Sequence, residues 1–305
     1  MSKFVSFVVL NLLCLLKFAL PQATYQCGIR VSLVGRGSQV ERGLWPWHVA
    51  VFRRQERDEQ FKYYCGGTLI SERHILTAAL CVVDHKDSSS LHVDPYEFQV
   101  HLGQYNLSEV SDSVMIRGVT KAYVHPNFQI IENDIAVLVM QLPVKYSDAV
   151  IPICLPQNAD DVEELVGQRG WITGWRKMEN GAISELLRMI SLPVISHEKC
   201  IQSDWALATI LHEHVFCAGK NSGTKPGEGD AGGGIYISYG DRWLLRGIVF
   251  VTSENSVYTT FLSVQPYLTW IEDILAKNET RQDFPVNHFT NFVQVFYHKL
   301  KANTG

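Results

Sequence analysis

The sequence has no large excess of either charge. Its 305 residues include 27 Lys and Arg against 31 Asp and Glu, which gives a net charge of −4 and no electrostatic basis for binding nucleic acid. Cys-x-x-Cys and His-Glu-x-x-His motifs are also missing, so the residue spacing predicts no metal site, and no cofactor is expected. Because hydrophobic residues make up 46% of the chain, a globular rather than a disordered protein is predicted.

Beyond its first residues, the sequence has no apolar segment long enough to span a membrane. Residues 4–20 are nearly all apolar and follow Lys3, which is typical of a signal peptide, and we expect this leader to cover residues 1–23. A membrane anchor is the alternative, but Lys17 shortens the apolar run below the roughly 18 residues that cross a bilayer. We therefore expect a secreted, extracellular protein without a membrane partner.

The cysteines agree with an oxidising compartment. Of the seven, Cys14 lies inside the predicted leader. Six remain: Cys27, Cys65, Cys81, Cys154, Cys200 and Cys217. An even number in an exported chain favours three disulfides, although the spacing alone permits many pairings. The sequons at Asn106 and Asn278 are candidate glycosylation sites, which would place both residues on the surface.

The central part of the chain, residues 34–276, has the pattern of a β domain. Short β-branched and aromatic runs, such as residues 47–52 and 135–140, alternate with clusters of Gly, Pro, Asn and Asp. This pattern predicts an all-β sandwich or barrel. A helix is expected to end the domain, where four apolar residues fall at helical spacing: Val264, Leu268, Ile271 and Leu275.

Two short segments flank this domain. Residues 24–33 form an N-terminal peptide that is too small to be a domain. Residues 277–305 form a C-terminal extension in which five apolar residues share one helical face: Phe289, Phe292, Val293, Phe296 and Leu300. We expect either an amphipathic helix that binds a partner or a lipid surface, or an extension that is loosely ordered or packs weakly on the domain.

Three sequence blocks carry a family resemblance. They are residues 65–71 (CGGTLIS) with 75–81 (ILTAALC), residues 133–136 (NDIA) and residues 229–233 (GDAGG). Together and in this order, they resemble the chymotrypsin and trypsin family of serine proteases. The resemblance implies an all-β fold of two antiparallel Greek-key β-barrels with a C-terminal helix.

The family's chemistry needs a histidine base, an aspartate that orients it and a serine nucleophile. The resemblance places these roles at Leu80, Asp134 and Ala231, so only the aspartate is present. Losing the serine or the histidine costs on the order of 10⁶ in turnover, and we expect no protease activity. His74 and His85 are expected on turns that lead away from the site. Asp134 is expected either to accept backbone hydrogen bonds, for example from Ala79, or to have a pKa raised by desolvation.

Other parts of the family's site are partly kept. The resemblance implies that the backbone N–H groups of Gly229 and Ala231 could still form an oxyanion hole, as a structural remnant. Lys225 falls at the floor of the specificity pocket, where it would attract an acidic side chain or simply point to solvent. Phe250 and Thr252 replace small residues and are expected to crowd the cleft.

The resemblance also implies features of activation and cross-linking. A mature start would fall at Val34, after a leucine that trypsin-like enzymes do not favour; the nearest basic site, Arg30, is out of register. In the family, the new amino terminus pairs with the aspartate that stands here at residue 230. We expect a side chain such as Arg36 or Lys225 to neutralise Asp230 instead. The implied disulfides are Cys27–Cys154, Cys65–Cys81 and Cys200–Cys217.

We therefore expect a noncatalytic serine protease homolog. Such proteins bind as cofactors, regulators or decoys in extracellular proteolytic cascades, often in innate immunity, so the expected partners are extracellular proteases or their substrates. Two alternatives remain at this point. One is a weak or atypical serine-type endopeptidase that uses a relocated base. The other is a membrane-associated carrier that uses residues 277–305.

Overall fold

The computed structural model of the protein describes nine stretches of chain: residues 25–30, 41–56, 59–83, 93–157, 162–178, 180–220, 225–227, 229–250 and 257–279. The predicted leader, the predicted start at Val34 and most of the C-terminal extension lie outside these residues. The described part folds into two closed antiparallel β-barrels of six strands each, followed by a helix. The all-β prediction is confirmed.

The first barrel contains six strands: β1 (His48–Arg53), β2 (Lys62–Leu69), β3 (His74–Thr77), β4 (Phe98–Leu102), β5 (Met115–Val124) and β6 (Ala136–Met140). Their order around the barrel is β1-β2-β3-β6-β5-β4, and β4 pairs with β1 to close it. Closure leaves no unpaired strand edge. β6 reads as a continuous apolar run because all five of its residues are buried, and it lies within the strand expected at residues 135–140.

The second barrel contains the other six strands: β7 (Arg169–Gly174), β8 (Arg188–Ile195), β9 (Val215–Gly219), β10 (Gly234–Tyr239), β11 (Arg242–Val249) and β12 (Tyr258–Ser263). The order is β7-β8-β9-β12-β11-β10, closed by the pair of β10 with β7. A two-residue turn joins β10 to β11, and Gly240 takes a positive φ of 62° there, which glycine adopts without steric cost.

Two α-helices occur in the described ranges. The expected C-terminal helix is α2 (Leu268–Glu279), which follows a 3₁₀ turn at Gln265–Tyr267. The short helix α1 (His197–Ser203) was not predicted, although Ser196 caps it by accepting a hydrogen bond from the Lys199 N–H at 3.4 Å. No helix within the described residues is both long and apolar enough to cross a bilayer.

An aromatic cluster joins the two barrels. Trp45 and Trp47 come just before β1, whereas Tyr236 lies on β10 and Trp243 on β11. Trp45 stacks on Tyr236 with ring centroids 5.5 Å apart and meets Trp243 edge-on at 5.2 Å. The Tyr236 hydroxyl and the Thr68 hydroxyl form a hydrogen bond of 3.0 Å across the same junction. Each such aromatic pair adds about 1 kcal/mol beyond the burial of its apolar surface.

Three disulfides cross-link the described chain, in the pairs that the family resemblance implies: Cys27–Cys154, Cys65–Cys81 and Cys200–Cys217. The first one tethers the N-terminal peptide. Beside it, the Gly28 N–H donates to the Pro152 carbonyl at 2.8 Å, and the Trp243 N–H donates to the Gly28 carbonyl at 2.9 Å. This peptide is therefore part of the folded body.

The side chain of Arg30 completes this attachment. Its guanidinium lies 4.1 Å from the ring centroid of Trp243 and 4.8 Å from that of Trp45. Burial against these rings lowers the pKa of Arg30. A partly desolvated cation over two tryptophans gains cation–π stabilisation, so the N-terminal peptide is anchored on the aromatic cluster as well as by its disulfide.

The Arg30→Ala variant is expected to lower the free energy of unfolding by about 1–2 kcal/mol, because it removes a partly buried cation–π contact. Arg169→Ala is the control, since Arg169 is exposed and a surface change is worth within about 0.5 kcal/mol. Urea unfolding monitored by tryptophan fluorescence measures both. Equal midpoints for the two variants would contradict the anchoring role.

Candidate functional site

The segments that carry Leu80, Asp134 and Ala231, the residues to which the resemblance assigns the triad, lie close together at the junction of the barrels. Leu80 lies in the 3₁₀ turn Ala79–Cys81 after β3, and Asp134 lies just before β6. The pairing of β3 with β6 brings these two segments side by side. Ala231 lies before β10, and its carbonyl accepts a hydrogen bond from the Gly66 N–H of β2 at 2.8 Å.

Close backbone packing holds the Ala231 segment against the Leu80 segment. Gly232 has a positive φ of 76°, and a Cβ at this position would collide with the Thr77 Oγ1 and lie 3.0 Å from the Cys81 Sγ. Only glycine fits here. The Cys65–Cys81 disulfide fixes the same 3₁₀ turn to β2, so elements of both barrels position the site.

The chain turns sharply just before Asp134. Asn133 has a positive φ of 55°, a conformation that asparagine tolerates better than most residues. Its Oδ1 accepts a hydrogen bond of 3.0 Å from the Tyr267 hydroxyl, which lies in the 3₁₀ turn before α2. The C-terminal helix region thus helps to aim the Asp134 side chain inward.

Asp134 is a buried carboxyl group with one satisfied oxygen. It is 1% exposed, and its Oδ1 accepts a hydrogen bond of 2.7 Å from the Leu80 N–H. Its Oδ2 has no hydrogen-bond partner among the described residues. Burial raises the pKa of Asp134 to about 7, although hydrogen bonds from the Leu80 and Ala79 backbone oppose the rise. The two outcomes expected from the sequence therefore occur together.

The neighbouring side chains offer no reacting groups at two of the three positions. Leu80 is aliphatic and cannot take a proton, and Ala231 carries no nucleophilic atom. The expectation for His74 was wrong: it lies within β3 rather than on a turn, is 4% exposed, and its Nδ1 shares a hydrogen bond of 2.6 Å with the Ser71 hydroxyl. His85 lies outside the described residues.

A second buried histidine, His48, approaches the site and was missed in the sequence. It is 2% exposed, and its ring lies 5.3 Å from that of Trp175. Neither ring nitrogen has a hydrogen-bond partner in the described part of the chain, and burial lowers the pKa of His48 to about 3. Burial therefore makes His48 a weaker base than an exposed histidine. Its place directly after Trp45-Pro46-Trp47 was the available signal.

The turn that carries the oxyanion-hole positions is held on several sides. Gly229 has a positive φ of 91°, and its carbonyl accepts a hydrogen bond from the Tyr63 hydroxyl. A Cβ at Gly229 would lie 2.8 Å from the Trp175 carbonyl oxygen and 3.2 Å from the Ile183 Cδ1. The turn therefore packs against Trp175 and Ile183.

Asp230 is the second buried acid of the site. It is 4% exposed, and its Oδ2 accepts a hydrogen bond of 3.0 Å from the Gly227 N–H. Burial raises the pKa of Asp230 to about 6, opposed by the Gly227 N–H and by the charge of Arg176. The charge of Arg176 thus acts on Asp230. The sequence alone predicts that Arg36 or Lys225 neutralises Asp230. Arg36 lies outside the described residues.

The structure places the remaining predicted residues as follows. Lys225 is half-buried in a three-residue described stretch. Phe250 is 6% exposed and belongs to the main hydrophobic core, while Thr252 lies outside the described residues. Asn106 is half-buried, and Asn278 lies in α2; their glycosylation stays a prediction. The described residues contain no group of three or more His, Cys, Asp or Glu side chains placed to hold a metal ion.

Comparison with known proteins gives consistent matches. Residues 34–271 match the family model described as Trypsin. The chain is 33% identical over 256 residues to the CLIP domain-containing serine protease B15 of Anopheles gambiae, which covers 78% of this chain and 68% of that protein. It is 30% identical over 261 residues to chymotrypsin-C of Mus musculus, which covers 82% of this chain and 91% of that protein.

A third relative is much longer. The chain is 31% identical over 263 residues to clotting factor C of Tachypleus tridentatus, an alignment that covers 81% of this chain but 26% of that protein. The chain therefore spans about a quarter of that relative.

The raised pKa of Asp134 makes a prediction about stability and pH. Because the folded state holds this proton up to about pH 7 and the unfolded state only to about pH 4, the contribution of Asp134 to the free energy of unfolding is full below pH 4 and is lost as the pH rises to 7. Asp134→Asn keeps the Oδ1 acceptor and removes this titration. Relative to wild type, it should gain roughly 3 kcal/mol between pH 4 and pH 7.

Urea unfolding at a series of pH values measures this difference. Asp112→Asn is the matched control, because Asp112 is exposed and should give a curve parallel to that of wild type. A curve for Asp134→Asn that is also parallel to wild type would show that Asp134 titrates normally.

Proposed function

Because the chain belongs to the trypsin family of serine proteases, we propose that it is a secreted, noncatalytic member that acts by binding other proteins. The observation that carries this proposal is the contact of Leu80 with Asp134, next to the segment that contains Ala231. The Leu80 N–H donates to Asp134, while the side chain that should take a proton and the one that should attack a carbonyl are both hydrocarbons.

The size of the loss supports the proposal. Removing either the serine or the histidine of a triad lowers turnover by about 10⁶, or roughly 8 kcal/mol of barrier. Backbone N–H groups at Gly229 and Ala231 would recover only a part of this. His48 does not make up for this loss, because burial lowers its pKa and residue 231 carries no nucleophile.

The preserved scaffold supports a role in binding. Both barrels are closed, three disulfides are formed, and the N-terminal peptide is anchored at Arg30. None of these features performs chemistry. A chain that keeps them beside a site without base and nucleophile retains a rigid extracellular surface, which suits a cofactor, regulator or decoy.

The names of the relatives support an extracellular proteolytic cascade as the process in which this chain acts. One of them is called clotting factor C, from Tachypleus tridentatus, and another is a CLIP domain-containing serine protease. We propose that this chain acts in an extracellular proteolytic cascade of that kind, as in innate immunity, where its partners are proteases or their substrates. The disulfides are consistent with secretion.

The test compares the natural protein with a variant in which the missing groups are restored, Leu80→His with Ala231→Ser. The natural protein should not react with an organophosphonate probe and should not hydrolyse a panel of peptide substrates, because it has no nucleophile at the site. The restored variant should be labelled at residue 231, since Asp134 is already in place to orient a histidine.

Single variants are the controls. Ala231→Ser alone supplies a nucleophile without its base and should be labelled far more slowly than the double variant, whereas Leu80→His alone should not be labelled. Turnover of peptides by the natural protein, persisting after removal of contaminating proteases, would overturn the proposal and favour the atypical endopeptidase. Binding of residues 277–305 to lipid stays a prediction.

A further inference from the structure

A hydrogen bond crosses from the first barrel to the turn that carries the oxyanion-hole positions. Tyr63 lies on β2, and its hydroxyl donates to the Gly229 carbonyl. The half-buried ring is fixed by edge-on packing against Trp175 at 5.4 Å and Phe52 at 5.9 Å between centroids. A phenol held by aromatic neighbours in this way keeps its hydroxyl at one position.

The same strand holds the turn at a second point. The Gly66 N–H of β2 donates to the Ala231 carbonyl at 2.8 Å. The carbonyls on both sides of Asp230 are therefore bound by β2. Between them, the Asp230 carboxyl accepts the Gly227 N–H at 3.0 Å, and the Ile183 side chain lies against Gly229.

The Tyr63 hydroxyl remains a donor at any physiological pH. Burial and the negative charge of Asp230 raise the pKa of Tyr63, so the phenol keeps its proton. The charge of Arg176 acts on Asp230 from the segment after β7. All of these contacts come from described residues between 52 and 231, so none of them requires a new amino terminus.

We propose that Tyr63 is a positioning residue that locks the Gly229–Ala231 turn in the uncut chain, so that the turn keeps its conformation without cleavage near Val34. This device does not depend on whether the protein is catalytic. It makes the surface around the turn available from the moment of folding. A binding protein of this kind would need no activating protease.

Hydrogen exchange of the intact chain tests the proposal. Two amides report on the turn: the Asp230 N–H, which donates to the Gly227 carbonyl at 3.0 Å, and the Gly233 N–H, which donates to the Asp230 carbonyl at 3.0 Å. In uncut wild-type protein, verified by mass after reduction of the disulfides, both should be protected. In Tyr63→Phe, both should exchange about fivefold faster, because one hydrogen bond to the turn is lost.

The neighbouring tyrosine provides the matched control. Tyr64 is 40% exposed and points to the opposite face of β2, so Tyr64→Phe removes a hydroxyl from the same strand without touching the turn. It should leave the exchange of both amides unchanged. The amides of β6 (Ala136–Met140) should keep their wild-type rates in both variants, since the effect is local.

Three results would overturn the proposal. The first is rapid exchange of the two turn amides in the uncut wild-type protein, which would show that the turn is not locked. The second is wild-type exchange in Tyr63→Phe. The third is an equal acceleration of the turn and of β6 in that variant, which would mark a general loss of stability instead of a positioning role. None of these readouts depends on catalysis, so they are separate from the test of function.

Discussion

The two barrels pack against each other through four aromatic side chains: Trp45, Trp47, Tyr236 and Trp243. The candidate site exists only because the barrels meet there. A closed barrel has no edge through which it can pair with another sheet, so the two units are joined mainly by side chains, with backbone contacts such as Gly66 N–H to the Ala231 carbonyl beside them. The aromatic rings provide large apolar surfaces for this purpose. Asp134 and Leu80 come from the first barrel and Ala231 from the second; their proximity is a consequence of that packing.

The same junction explains the raised pKa values of the two buried carboxyl groups of the site. Asp134 and Asp230 lie where little water reaches them, and backbone N–H groups are their main hydrogen-bond partners. Backbone dipoles offset only part of the cost of burying a negative charge. With leucine at residue 80, no imidazole donates to the Asp134 Oδ2, and this oxygen is left without a partner in the described residues. Burial raises the pKa of Asp134, and the leucine side chain at residue 80 offers no donor that would oppose the rise.

Much of the fold could be predicted from the sequence. The short apolar runs at residues 47–52 and 135–140 contain strands, and the periodic apolar residues from Val264 lie in the C-terminal turn and helix. Local patterns suffice for such elements, because each is specified by residues close together in the chain. The short motifs around Leu80, Asp134 and Ala231 likewise identified the family, since the spacing of those blocks is specific to it.

Contacts between distant residues were beyond the reach of sequence patterns. Tyr63 and Gly229 are 166 positions apart, and no sequence pattern near either residue predicts their hydrogen bond. The effect of Arg176 on Asp230 could not be predicted either, because the segment after β7 packs against a turn that follows much later in the sequence. The burial of His48 depends on both barrels at once. The helix α1 was missed because seven residues give too short a period to recognise.

The Cys27–Cys154 disulfide has a consequence for how a cut in this protein would be observed. It joins the peptide at residues 25–30 to the body across 127 positions of sequence, and the segment between residues 31 and 40 is the only covalent backbone link between them. A protease that cuts within 31–40 would release no fragment containing Cys27. The two products would migrate as one species on a denaturing gel run without reductant and separate only after the disulfides are reduced. An intact mass on a non-reducing gel is therefore no proof of an uncut chain, and any assay of processing must include a reduced sample.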